Sequence, residues 1–208
     1  MGLIDEHWRV AIQPQYRDIS HVAHGRAIAQ VRGEGRDNLL ILLDTTGEHI
    51  IPAGRFQGIW ICSNEPLAIV AGESLRQYGI IDLYGNYIVP PRYDLIRHYG
   101  ETRDLSWLWF TPEPKHNPIF RDGRAAVNHL GRWGYVDVTG YEIIPPQFEY
   151  AGSFMNGIAL VNYNGTWQLI DPYNNILESF EHESMARLNA NLLTFTEDER
   201  EGIIRITR

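Results

Sequence analysis

Lysine and cysteine are almost absent from this chain: Lys115 stands alone beside seventeen arginines, and Cys62 is the single cysteine. One cysteine excludes an internal disulfide, and its apolar neighbourhood fits a reducing compartment. No run of about 18 apolar residues occurs, so the sequence predicts no membrane-spanning helix. The start, MGLIDEHWRV, lacks the basic segment followed by an apolar one that a secretory signal needs. Glu6 stands where a myristoylation signal wants Ser or Thr, so Gly2 is not read as a lipid site. Together these absences predict a cytoplasmic protein with no membrane partner. Positive charge is scarce too. A net charge of −8 with no basic stripe argues against nucleic acid as a partner.

Catalytic signatures are also missing. The sequence has no G-x-S-x-G elbow, Walker loop, H-E-x-x-H or C-x-x-C. Cys62 falls in a predicted apolar strand without a local histidine motif. His21 and His24 are three apart but have no evident third ligand, so no metal site is predicted. The G-x-G of Gly33 and Gly35 opens no helix and is not a phosphate loop. The expectation is a non-enzyme with no cofactor, no metal and no small-molecule substrate.

What the chain does have is a repeat. Its anchors are Asp5, Asp44, Asp82, Asp137 and Asp171, with Arg205 in the same place at the end. Most spacings lie near 35 residues, a period of stacked supersecondary units. Apolar pairs precede each anchor, as in Ile80-Ile81 and Tyr135-Val136. Three residues after it comes Gly47, Gly85, Gly140 or Asn174, types that tolerate positive φ, and the aspartate is suited to capping that turn. β-Branched pairs such as Ile50-Ile51, Ile88-Val89 and Ile143-Ile144 then build a second strand. Pro52, Pro90 or Pro145 stops it. A ring destined for the core follows at Tyr16, Phe56, Tyr93 or Phe148. A third strand is marked by a small residue in an apolar run, as in Gly25–Ile28, Leu67–Val70, Gly123–Val127 and Gly157–Val161. Asn164-Gly165 is the strongest hairpin signal in the chain.

The predicted fold is therefore all-β: a tandem array of small three-stranded antiparallel meander sheets, either an open β-solenoid or propeller-like. About five repeats are expected in one domain spanning 1–208. The copies run near 1–38, 39–76, 77–131, 132–165 and 166–200, with a terminal strand at 201–208. Four complete sheets are expected, with half-sheets at the two ends. Each sheet is too small to bury its faces alone, so neighbours must stack.

These residues resemble the WG repeat family, named for a Trp-Gly pair that opens each unit. Trp133-Gly134 keeps the pair. Tyr78-Gly79 keeps the aromatic and the glycine, Trp167-Gln168 keeps the tryptophan, and Gly2 and Gly202 keep the glycine. The Gly-x-Ala element and the Ile-Ile-Pro-Pro run at 143–146 fit the pattern too. Similar proteins occur among immunity proteins of interbacterial competition. The resemblance thus implies a binding protein that neutralises a cognate toxin, expected to be a basic nuclease, by occluding its active face. The alternative is a general WG-repeat scaffold or envelope-associated interaction module. An enzyme is the least favoured reading.

Two stretches are the candidate partner-binding residues. The third copy carries an insertion over 101–120, which holds Trp107, Trp109 and Phe110 followed by three prolines. Long loops in compact domains tend to be functional or disordered. These aromatics either complete the core or form an interface anchor. The second stretch is acidic. Residues 171–208 hold eight carboxylates against four arginines, half of the net charge of the whole chain. Glu181, Glu183, Glu197, Asp198 and Glu199 are the candidates there. A charged turn also protects edge strands, and an acidic face speeds encounter with a basic partner.

Overall fold

A computed structural model describes residues 1–33, 38–62, 64–73, 77–96 and 118–206. Among these every paired strand is antiparallel and no helix occurs. The chain divides into two compact units, the first built on Met1–Tyr93 and the second on Ile119–Arg208 with one further short strand.

The first unit opens with a two-stranded sheet, β1 (Leu3–Ile4) and β2 (Val10–Ile12). Two four-stranded meanders follow. One runs β3 (Asp18–Ile19), β4 (Arg26–Arg32), β5 (Asn38–Asp44), β6 (His49–Ile51). The other runs β7 (Gly58–Ile61), β8 (Leu67–Ala71), β9 (Tyr78–Asp82), β10 (Tyr87–Tyr93). The second unit has β11 (Leu95–Ile96), β12 (Arg124–His129), β13 (Arg132–Asp137), β14 (Glu142–Phe148) as its first sheet. Its second is β15 (Tyr150–Ala151), β16 (Ala159–Tyr163), β17 (Thr166–Ile170), β18 (Ile176–Phe180). Its last is three-stranded: β19 (Ser184–Asn189), β20 (Leu192–Glu197), β21 (Arg200–Arg205).

The meanders cross the repeat boundary as the sequence predicts, and four of them are complete. Each complete sheet also gains a short leading strand. Three of these four strands, β3, β11 and β15, are two residues long, too short to show the alternation that marks a strand in sequence.

The anchors work as turn caps. In all five copies one carboxylate oxygen of the aspartate accepts the N–H groups two and four residues on, at 2.8–3.0 Å. Thr46 and Thr139 add a hydroxyl bond to the same oxygen, and Asn86 and Asn175 donate to the other. These bonds favour the charged form. Hydrogen bonding, led by the Thr46, Thr139 and Asn175 side chains, lowers the pKa of Asp44, Asp137 and Asp171 respectively.

The glycine of the Trp-Gly pair has a different cause. A Cβ on Gly134 would stand 2.4 Å from the Ile144 carbonyl oxygen and 2.6 Å from the Pro146 nitrogen. Gly79 meets Val89 and Pro91 in the same way, and Gly2 meets Ile12 and Pro14. The proline-bearing chain bulges over the glycine, which is why the register of β13 with β14 jumps between Trp133↔Phe148 and Tyr135↔Ile144. In the second copy Ile41 replaces the glycine. There β6 ends at Ile51, and the chain leaves the sheet at Pro52 instead of bulging.

Stacked faces make the cores. In the first unit Leu42, Ile51, Phe56, Val70 and Ile81 form one buried cluster, and Ile12, Tyr16, Ala29 and Leu43 form another. In the second, Tyr135, Ile144, Phe148, Phe154 and Val161 pack together, with Leu160, Leu169, Met185 and Leu193 beyond. The Tyr135 hydroxyl, fully buried, donates to the Gly152 carbonyl at 2.7 Å. Tyr78 is buried, whereas Trp133 and Trp167 are only half-buried. They stand opposite Phe148 and Phe180, at the end of the ladder where the sheet gives way to solvent.

Candidate protein-binding site

The repeat breaks its own rule in the second unit. Seven residues after the anchor, four copies place a buried aliphatic: Ile12, Ile51, Val89 and Ile144. The fifth places Glu178, which is exposed. The prolines that follow in the others are replaced by Ser179, and the glycine opposite them by Gln168. A Cβ at 168 leaves no room for the bulge. So β18 runs straight along β17 from Glu178 to Phe180, pairing Trp167↔Phe180, Gln168↔Ser179 and Leu169↔Glu178, and its one register shift lies before that, ahead of Ile170↔Ile176.

Losing the bulge shortens the strand by two residues. Phe180 thus reaches the place opposite the repeat tryptophan that Phe148 holds in the preceding sheet. His182, which stands at the core-ring position of the repeat, is carried past the ladder. Its ring stacks on Phe195 at a centroid distance of 4.1 Å and lies parallel to Phe180 at 6.3 Å. Its Nδ1 donates to Oε2 of Glu197 at 3.1 Å. A carboxylate only accepts, so the proton of that bond sits on the imidazole. Phe195 in turn covers Gly202: a Cβ there would fall 2.2 Å from the ring.

This contact joins two acidic segments. Glu181 and Glu183 flank His182, and Glu197, Asp198 and Glu199 form the end of β20 and the tip of the β20–β21 hairpin; all five are exposed. The structure therefore brings the five predicted carboxylates to one end of the last sheet. The hairpin tip is unusual. Asp198 and Glu199 have φ of 48° and 60°, where the sibling hairpins have Leu130-Gly131 and Asn164-Gly165. Glutamate in the left-handed region costs roughly 1–2 kcal/mol that glycine avoids. Sequence reasoning did not single out His182. Its signal was the spacing of 11 from Asp171, shared with the rings Tyr16, Tyr93 and Phe148 from their own anchors.

Trp107, Trp109 and Phe110 lie outside the described residues, as does the rest of the insertion up to 117. Of its end, Ile119 is buried. Cys62 is buried, and that burial, with the charge of Glu65, pushes the thiol up to about 12, far from a nucleophile's range. His24 Nε2 lies 3.1 Å from the Cys62 carbonyl, and His21 is exposed. Among the described residues no three metal-ligating side chains converge. A shallow cleft in the second unit is lined by Asn156, Ile158, Ala190, Asn191 and Ile206, none of which titrates.

The family model of the WG containing repeat matches residues 1–34, 78–101 and 133–167. No curated protein matches the sequence. Among solved structures the chain is similar to Hsv2p of Kluyveromyces lactis, at 10% identity and a TM-score of 0.42, covering 91% of this chain and 67% of that one. It is also similar to the AfRom2 CNH domain, at 8% identity and a TM-score of 0.35, covering 98% and 68%.

Proposed function

The chain belongs to the WG containing repeat family, and from that premise we propose that it is a non-enzymatic binding protein whose acidic end receives a basic protein. The observation that carries this reading is the assembly of Glu181, Glu183, Glu197, Asp198 and Glu199 around the His182–Glu197 bond. A concentrated field of one sign steers a partner of the other sign and raises its association rate. It also disfavours wrong partners through like-charge contact. The glutamate at the strained hairpin position supports the same reading, because glycine would serve the turn better.

The partner is a cognate bacterial toxin, a nuclease whose basic substrate-binding face the acidic end covers. Both proteins meet in the cytoplasm. Affinity purification with mass spectrometry from the native strain identifies the partner, and co-expression tests protection. Reversal of Glu197, Asp198 and Glu199 to lysine is expected to slow association, flatten its salt dependence and abolish protection, with the fold intact by circular dichroism. Unchanged association kinetics in a folded variant would remove the acidic end from the interface.

A further inference from the structure

Strand β18 is an edge strand, paired on one side with β17 and on the other with no strand among the described residues. Edge strands present unpaired backbone groups and are usually guarded. In the strands that correspond to β18 the guard is proline. The corresponding strands β10 and β14 carry Pro90-Pro91 and Pro145-Pro146, and Pro52 ends β6. β18 has none. It is also the one of these strands with no buried residue: Ile176 is 59% and Leu177 52% exposed. From Glu178 to Phe180 the strand pairs regularly with β17, the one register shift falls at Leu177, and the outer edge is open.

We propose that β18 is the docking edge for the partner, which adds an extended, basic segment as a further strand of this sheet. The inference deepens the acidic-end reading and rests on it. Strand addition takes affinity from main-chain hydrogen bonds and specificity from alternate side chains. Here Ile176 and Leu177 meet apolar side chains of the incoming segment. Glu178 lies within β18, and Glu181 and Glu183 follow directly on its end, so the segment must carry cations. A second copy fits badly. Antiparallel pairing of β18 with itself sets the carboxylates of the two strands against each other, and like charges facing across a ladder are destabilising.

The test uses the full chain and a labelled peptide alternating lysine with valine, followed by fluorescence anisotropy. Its control is the same peptide N-methylated at alternate amides, which keeps charge and side chains but cannot extend a sheet. The parent peptide is expected to bind and the methylated one to bind at least about tenfold more weakly. Hydrogen exchange is expected to slow at Ile176–Phe180 on binding. On the protein side, Glu178→Pro and Ser179→Pro are made separately. Adjacent amides point to opposite sides of a strand, so one variant spares the β17 ladder and keeps its melting temperature. That variant is expected to lose the peptide.

Equal binding of the two peptides, still sensitive to charge reversal at 197–199, would overturn strand addition and leave the acidic-end reading standing. No binding by either peptide would overturn strand addition. Binding of both with no effect of charge reversal would overturn both readings. Self-association abolished by the fold-sparing proline would assign the edge to a second copy and overturn the proposal.

Discussion

Gly134 lies against the backbone of Ile144, so close that a Cβ would come within 2.4 Å of its carbonyl oxygen. The Trp-Gly pair and the Ile-Pro-Pro run are therefore two halves of one contact. Where one half is lost, as at Gln168, the other is lost with it, and the strand opposite runs straight. An edge guarded by proline in the siblings is open there for that reason.

Gly134→Ala tests the contact directly. The added methyl meets backbone, which cannot rotate away, so the cost is expected to be about 2 kcal/mol or more. Gln168→Gly, at the equivalent place in the next copy, is expected to cost no more than about 1 kcal/mol, through backbone entropy alone. Denaturant midpoints measure both. Equal sensitivity at the two positions would break the coupling argument.

The turn aspartates make stability acid-sensitive. Asp44, Asp137 and Asp171 have folded-state pKa values below the ordinary 3.8, through hydrogen bonds led by Thr46, Thr139 and Asn175. A lowered carboxylate stabilises the fold above its unfolded-state pKa, and that contribution is lost as pH falls through the folded-state value. Stability is expected to decline from about pH 5 downward. Asp137→Asn is expected to flatten that decline, as measured by denaturant titration across the acid range.

Glu199→Gly relieves the left-handed glutamate in the β20–β21 hairpin. The melting temperature is expected to rise, by an amount equivalent to about 1 kcal/mol. The same variant is expected to associate more slowly with a basic partner. A gain in stability with unchanged association would show that the glutamate serves the turn alone.

Tyr135→Phe removes a buried donor and leaves the Gly152 carbonyl without that bond. The expected cost is about 1–3 kcal/mol, read from the denaturant midpoint. Because Tyr135 also packs on Phe148 and Phe154, Tyr135→Ala is expected to cost considerably more.

The sequence by itself determined whatever a few contiguous residues decide. The anchors, the positive-φ residues three places on and the number of complete sheets are local turn and strand chemistry, legible before any coordinate. The prolines are not all the stops that the sequence predicts: only Pro52 ends its strand, whereas β10 and β14 run on through Pro90-Pro91 and Pro145-Pro146. The acidic residues were legible as a composition. Tertiary structure decided the rest, because the deciding groups lie far apart in the chain or are too small to leave a pattern. The short leading strands β3, β11 and β15 exist only through pairing with a neighbour. The need for glycine at 134 comes from backbone ten residues later, folded over it. The gathering of Glu181 and Glu183 with Glu197–Glu199 depends on an imidazole stacked on the Phe195 ring, 15 residues from the carboxylate it binds.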